Sequence, residues 1–197
     1  MLILLRHART PNNAQARLQG QVDSPLDRVG FEQARRVGEA IHARWQIDSV
    51  VTSSLARTKQ TAESAGLGDL PTTVDDRWRE IDFGDYDERR IGEVMAELGS
   101  AWRRDINFTP TNGESMGSMH QRIGEALNPL LERSKDENIV VVTHATPIKS
   151  VVGWILGGSA ESILKLRINL ASVTTISNDE QGALLQEFNW RPNPENT

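Results

Sequence analysis

Two uninterrupted apolar runs, residues 2–5 (LILL) and 139–142 (IVVV), limit the fold more than any other feature. A half-exposed strand alternates apolar and polar residues, whereas a strand that is apolar at every position has to be covered on both faces. Such strands sit in the middle of a parallel sheet with helices on either side. The intervening spacing supplies those helices. Asp27 is placed to cap a helix reaching about Trp45, with Phe31, Ala34, Val37, Ile41 and Trp45 on its apolar face. Residues 49–52 and 72–74 read as short strands, and 55–65 as a helix closed by Gly66. A helix is expected near 91–98. A stronger one follows the cap Ser115 and carries Met119, Ile123, Leu127 and Leu130, with Pro129 kinking its last turns. Residues 146–156 read as helix, and 172–176 and 183–188 as strands around a turn. The stretch 12–21 reads as loop and the tail RPNPENT as loose. This alternation predicts an α/β fold: a three-layer α/β/α sandwich with a mostly parallel central sheet, forming one domain over 1–197.

Ligands of such sheets gather at the carboxyl ends of the strands. Both apolar runs place histidine there, with Arg6 and His7 after the first and His144 after the second. Taken singly, a strand end reaching the surface accounts for each of them. Together they point to an anion. The net charge of −5 excludes a broad basic footprint for nucleic acid, so an anion has to be met by local groups. The absence of cysteine excludes disulfides, thiolate metal sites and a thiol nucleophile. No segment approaches the roughly 20 apolar residues of a membrane span, and a cytoplasmic protein that binds neither nucleic acid nor membrane is expected. His42 and His120 fall on helices without a matching partner and read as surface or edge-of-core residues.

Six stretches, taken in order, resemble the motifs of the histidine phosphatase superfamily, which includes the phosphoglycerate mutases. They are LLRHART with Asn13 following, LQGQVDSPLDRVGFEQA, VVTSSLARTKQTA, REIDFGDYD, NGES and VVVTHATPIKSVV, and they span residues 2 to about 152. The resemblance implies that His7 attacks phosphorus and becomes phosphohistidine. Arg6, Arg57 and His144 would bind the phosphoryl oxygens, and Glu80 would act as general acid. By the same matching, Asn13, Gln19, Gly20 and Ala145 line the phosphate and substrate mouth. Glu114 and Ser115 stand at its edge, and a small helical lid occupies about 81–115. No metal or cofactor is called for.

These residue types suit that chemistry. A phosphoryl group in flight spreads charge over three oxygens and needs converging donors with an in-line nucleophile. Arginine meets two oxygens at once and stays charged. Nearby cations favour the neutral imidazole that a nucleophile requires. His144 is expected to stay protonated when phosphate is bound.

Two letters depart from the pattern. Ala8 replaces the family's glycine where a positive φ is expected, and Arg9 stands where Glu or Gln is usual. Arg9, with Arg103 and Arg104 in the lid region, reads either as a specificity residue meeting a second acidic group of the substrate or as surface charge, and surface placement is the expected one. Lys149 stands where arginine is common, and Trp78 and Trp102 fall in the lid region. The implied activity is hydrolysis of a small phosphorylated metabolite. A cofactor-dependent phosphoglycerate mutase and a non-catalytic phosphate-binding relative are the alternatives. Mutases of the family tend to carry a longer insertion between the general acid and the GES motif, which favours the phosphatase here. A homodimer is compatible with the sequence.

Overall fold

Residue-by-residue burial makes β1 (Leu2–Arg6) and β4 (Ile139–Thr143) the two central strands of the sheet. They pair in parallel, from Leu2 opposite Ile139 to Arg6 opposite Thr143. The computed structural model describes residues 1–98, 105–158 and 162–192. Among these the sheet has six strands in the order β3-β2-β4-β1-β5-β6. β2 (Ser49–Thr52) is parallel to β4 and to β3 (Thr72–Val74). β5 (Val173–Asp179) runs antiparallel to β1, and β6 (Gly182–Trp190) antiparallel to β5. The sheet is therefore mostly parallel, with β5 reversed.

Alternate residues of the central strands feed two cores. Leu2, Leu4, Ile139 and Val141 pack with Met119, Ile123, Ile148 and Val151 on one face. Ile3, Leu5, Val140 and Val142 pack with Val37, Ile41 and Ala62 on the other. All eight strand side chains are fully buried, each stabilising the fold by about 1.5–3 kcal/mol. Helices on both faces complete the α/β/α sandwich.

The helices begin where polar caps place them. Asp27 Oδ1 accepts from Gly30 N at 2.8 Å and starts α2 (Arg28–His42), while Ser115 accepts from Ser118 N and starts the long helix Met116–Arg133. The α2 face differs from the predicted one. Phe31 is 44% exposed, and the buried stripe is Gly30, Ala34, Val37, Gly38 and Ile41. A Cβ on Gly38 would lie 2.2 Å from Ala65 O, so the missing side chain admits close backbone contact there. A hydrophobic pattern does not register such a glycine. Trp45 lies beyond the helix, with Arg44 4.3 Å over its ring.

Residues 12–21, expected as loop, include the single turn α1 (Pro11–Ala14), closed by a reciprocal cap between Thr10 and Asn13 with Pro11 in the first turn. Four residues are too few to show a helical period. α3 (Ala56–Ser64) follows β2, and α4 (Ile91–Leu98) follows the 3₁₀ turns Asp76–Trp78 and Gly84–Tyr86. The helix Met116–Arg133, here α5, runs through Pro129 without interruption. Proline donates no hydrogen bond to the Glu125 carbonyl, and Arg77 Nη1 reaches that oxygen at 3.4 Å. α6 (Ala145–Ile155) follows β4 directly. Trp78 is fully buried in the α5/α6-side core. Trp102, Arg103, Arg104 and residues 193–197 lie outside the described residues. Among the described residues no helix is long and apolar enough to cross a membrane.

Candidate active site

The β1/β4 register extends one step beyond the strands. His7 N donates to Thr143 O at 2.8 Å, which brings His7 beside His144 with ring centroids 5.1 Å apart. Both rings are buried. His7 Nδ1 lies 2.8 Å from Ala8 O. A carbonyl only accepts, so Nδ1 carries the proton and Nε2 keeps its lone pair. Among the described residues no hydrogen-bond partner occupies that Nε2.

Arg57, in the first turn of α3, is fully buried. Its Nη2 donates to Gly20 O (2.6 Å), Nη1 to Val22 O (2.8 Å) and Nε to His144 Nδ1 (3.1 Å). Because the guanidinium only donates, His144 Nδ1 accepts and its Nε2 holds the proton, 2.9 Å from Ser53 Oγ. Arg6 sends Nη1 to Ile168 O at 2.6 Å, while its buried Nε has no hydrogen-bond partner among the described residues. Glu80 is nearly fully buried. Its Oε1 accepts from Ile81 N (3.0 Å) and from Thr146 N (3.1 Å) in the first turn of α6, with Oε2 3.3 Å from the same Thr146 N. With Oε1 doubly bonded, Oε2 is the oxygen with more lone-pair capacity for a proton.

Burial holds His7 well below the ordinary histidine range, with the Arg57 and Arg6 charges adding to the effect and the Ala8 bond opposing it. Burial likewise lowers His144, helped by Arg57, His7, Arg6 and Arg122. Both imidazoles are therefore held neutral at pH 7 by their surroundings in the protein. Burial pulls Arg6 and Arg57 down to about 10, offset in each by Glu80, and both remain cationic at pH 7. His120 is also lowered by burial. The unfolded chain therefore takes up protons near pH 6.5 that these three folded histidines refuse, and stability is lost as pH falls below about 6.5. A melting temperature that stays flat from pH 7.5 to 5.5 would contradict this.

The remaining sequence-predicted residues divide. Gln19 is buried, with Oε1 accepting from Thr10 Oγ1 at 2.7 Å and a buried Nε2 that has no partner among the described residues. Asn13 faces the same Thr10 hydroxyl at 3.0 Å. Ala145 is the first residue of α6, beside His144. Ser115 caps α5, and Glu114 forms a two-pronged pair with Arg122.

Arg9 is not brought to the cluster. Its Nε pairs with Asp27 Oδ2 at 2.8 Å, tying it to the start of α2. Nor does Ala8 adopt a positive φ. Its methyl is fully buried in the α2/α3-side core and its N–H donates to Thr61 Oγ1 at 3.0 Å. His42 is exposed, and half-buried His120 sits 2.6 Å from Ser150 Oγ and stacks on Trp154.

Sequence reasoning missed Ser53 and Asp87. Burial raises the Asp87 carboxyl, whose oxygens accept from Gly20 N at 2.7 Å and Gln21 N at 3.2 Å, fixing the loop that meets Arg57. Both residues stand inside the quoted motifs, but nothing in those motifs shows what their side chains touch. A Cβ on Gly20 would lie 2.5 Å from Ile81 O and 2.9 Å from Phe83 N, both backbone atoms. Gly20→Ala is expected to cost about 1–3 kcal/mol and to lower turnover by displacing the Gly20 carbonyl from Arg57. Denaturant melts and kcat check the two effects, and an unchanged midpoint would contradict the close approach.

The six-stranded α/β sandwich thus gathers two buried histidines, Arg6 and the buried Arg57 beyond the carboxyl ends of its central strands, and comparison with known proteins places that arrangement in a family. Residues 2–191 match the model of the histidine phosphatase superfamily (branch 1), and the chain belongs to that family. It is 36% identical over 183 residues to the probable phosphoglycerate mutase GpmB of Salmonella arizonae, a match covering 90% of this chain and 84% of the relative. The alpha-ribazole phosphatase of Shigella flexneri superposes with a TM-score of 0.84 at 29% identity, covering 96% of each chain. The mycobacterial glucosyl-3-phosphoglycerate phosphatase in complex with VO3 gives 0.84 at 28% identity, covering 95% of this chain and 98% of that one.

Proposed function

We propose that this chain is a metal-independent phosphomonoesterase that hydrolyses a small phosphorylated metabolite through a phosphohistidine on His7. The observation that carries this reading is the His7 tautomer. Its proton is committed to Ala8 O, leaving a lone pair at Nε2 beside Arg6 and Arg57. The phosphoryl oxygens are met by Arg6, whose buried Nε has no partner among the described residues, by the Gln19 amide and by Arg57. An incoming dianion opposes the burial that keeps His144 neutral and favours its protonated form, in which Nδ1 no longer accepts from Arg57 Nε.

The His7 Nε2 lone pair forms a bond to phosphorus as the ester P–O bond breaks, and the departing oxygen takes its proton from Glu80. Water then attacks the phosphohistidine and gives a proton to the Glu80 carboxylate. The N–P bond breaks with its electron pair returning to Nε2, and inorganic phosphate leaves.

The structural relatives named above as phosphatases favour hydrolysis, as does the short connection from Glu80 to Glu114. Purified protein is expected to release p-nitrophenol from p-nitrophenyl phosphate in excess chelator and to be inhibited by vanadate. Failure to turn over any of a broad panel of phosphate esters would overturn an enzymatic role. The name of the curated relatives motivates the competing assay. Interconversion of 2- and 3-phosphoglycerate, primed by bisphosphoglycerate and faster than phosphate release, would overturn hydrolysis in favour of mutase chemistry.

A further inference from the structure

The segment that delivers Glu80 leaves a 3₁₀ turn and joins neither strand nor helix. Four consecutive carbonyls along it each accept from a side chain. Arg122 Nη1 donates to Arg77 O (2.5 Å) and to Arg79 O (3.2 Å), Thr143 Oγ1 to Trp78 O (2.6 Å), and Gln21 Nε2 to Glu80 O (2.8 Å). Arg122 alone takes two of the four, including the carbonyl of the peptide that leads into Glu80. Its other edge is fixed by a fork to Glu114, with Nε to Oε1 at 2.9 Å and Nη2 to Oε2 at 2.6 Å. Both side chains are about four-fifths buried.

We infer that Arg122, oriented by Glu114, is a positioning residue for Glu80, an inference that rests on reading Glu80 as the proton donor. The guanidinium is planar, so pairing one edge with Glu114 sets the direction in which Nη1 points, and that direction sets the path of residues 77–79. Glu80 Oε1 is held separately by α6 through Thr146 N. The carboxyl is thus stretched between two supports, α6 at its oxygens and α5, through Arg122, at its backbone. The same assignment gives Glu114 of the NGES motif a part that needs no contact with substrate. A lysine keeps the charge but not the fork, and it cannot pair with a carboxylate edge while reaching two carbonyls.

Proton donation matters most for esters whose leaving oxygen is strongly basic. The test compares kcat for p-nitrophenyl phosphate and glycerol-2-phosphate in the wild type, Glu80→Gln, Arg122→Gln, Arg122→Lys and the double variant Glu80→Gln/Arg122→Gln. Melting temperatures are measured alongside. Arg122→Gln is expected to lose about 10²-fold on glycerol-2-phosphate and about tenfold less on p-nitrophenyl phosphate. Arg122→Lys should resemble it. The double variant should be no slower on glycerol-2-phosphate than Glu80→Gln, because placing an acid has no value once the acid is gone.

Multiplying losses in the double variant would overturn the positioning role, since a merely structural defect adds to the loss of the acid. Near-normal activity of Arg122→Lys would also overturn it, by showing that charge near His144 suffices. Equal losses of Glu80→Gln on both esters would overturn the general-acid reading itself, and this inference with it. Should Arg122→Gln fail to fold, Arg122→Lys and Glu114→Gln carry the same comparison, the latter releasing the guanidinium while leaving it in place.

Discussion

Replacing His7 with alanine is expected to lower kcat on any phosphate ester by about 10⁴-fold or more, because no other group takes over as nucleophile. Among the described residues His144 is the imidazole beside it, and both of its ring nitrogens are engaged, Nδ1 by Arg57 and Nε2 by Ser53. Stability should change little by comparison. The substitution removes one bond to Ala8 O, worth about 1 kcal/mol, and relieves the burial of a polar ring between two guanidinium groups. A melting temperature within about 2–4 °C of wild type follows for a chain of this size. Intact-mass analysis after rapid mixing with substrate and an alkaline quench supplies the direct check. The wild type should gain one phosphoryl group and His7→Ala none. Retention of a tenth of the activity, or a phosphoryl adduct on the variant, would assign the nucleophile elsewhere.

The pairing of His7 with His144 is the part of the site most legible in the sequence, and the reason is geometric. Residues 2–5 and 139–142 are apolar throughout because both faces are covered, which identifies them as central strands. Parallel pairing at one constant offset then carries each chain one step past its strand, to a histidine in both cases. Arg57 and Glu80 are legible only through the motifs around them. Their burial depends on partners distant in sequence, the carbonyls of Gly20 and Val22 for one and the first turn of α6 for the other.

Arg9 and Ala8 mark where residue type does not decide. A cation two positions after His7 reads either as part of the site or as surface charge, and Asp27, itself legible as a helix cap, lies close enough to take it. A methyl in place of glycine reads as a backbone constraint, but the chain has a negative φ there and the methyl fills the core. Phe31 fails for a related reason: two glycines hold the close face of α2, and a hydrophobic count assigns that face to the largest side chain nearby. Arg122 shows the opposite case. It lies on the long helix whose apolar stripe is easily read, and its role appears only when the carbonyls of residues 77 and 79 come within reach.

Arg57→Ala is expected to have the second largest effect, and on two quantities at once. The guanidinium is the group on which the 20–22 loop, α3 and His144 converge. Its removal strands the buried Gly20 carbonyl and a buried ring nitrogen, each costing about 1–3 kcal/mol when left unsatisfied, and the half-buried Val22 carbonyl, which costs less. Part of that loss is offset because the buried cation itself is costly, as its lowered pKa of about 10 shows. A net destabilisation of about 2–4 kcal/mol follows, with kcat/KM down by about 10³-fold from the lost phosphoryl donor and the loosened His144. Arg57→Lys should recover little of the activity, since an ammonium cannot donate to both carbonyls and the imidazole from one plane. The titration of His144 separates this reading from simple loss of fold. Burial and the Arg57 charge together hold that ring neutral, so deleting the charge should move its titration upward, toward the ordinary histidine range. Histidine NMR signals followed across pH in the folded variant report that shift. An unmoved His144 with the activity lost would place the effect of Arg57 on the phosphoryl group alone.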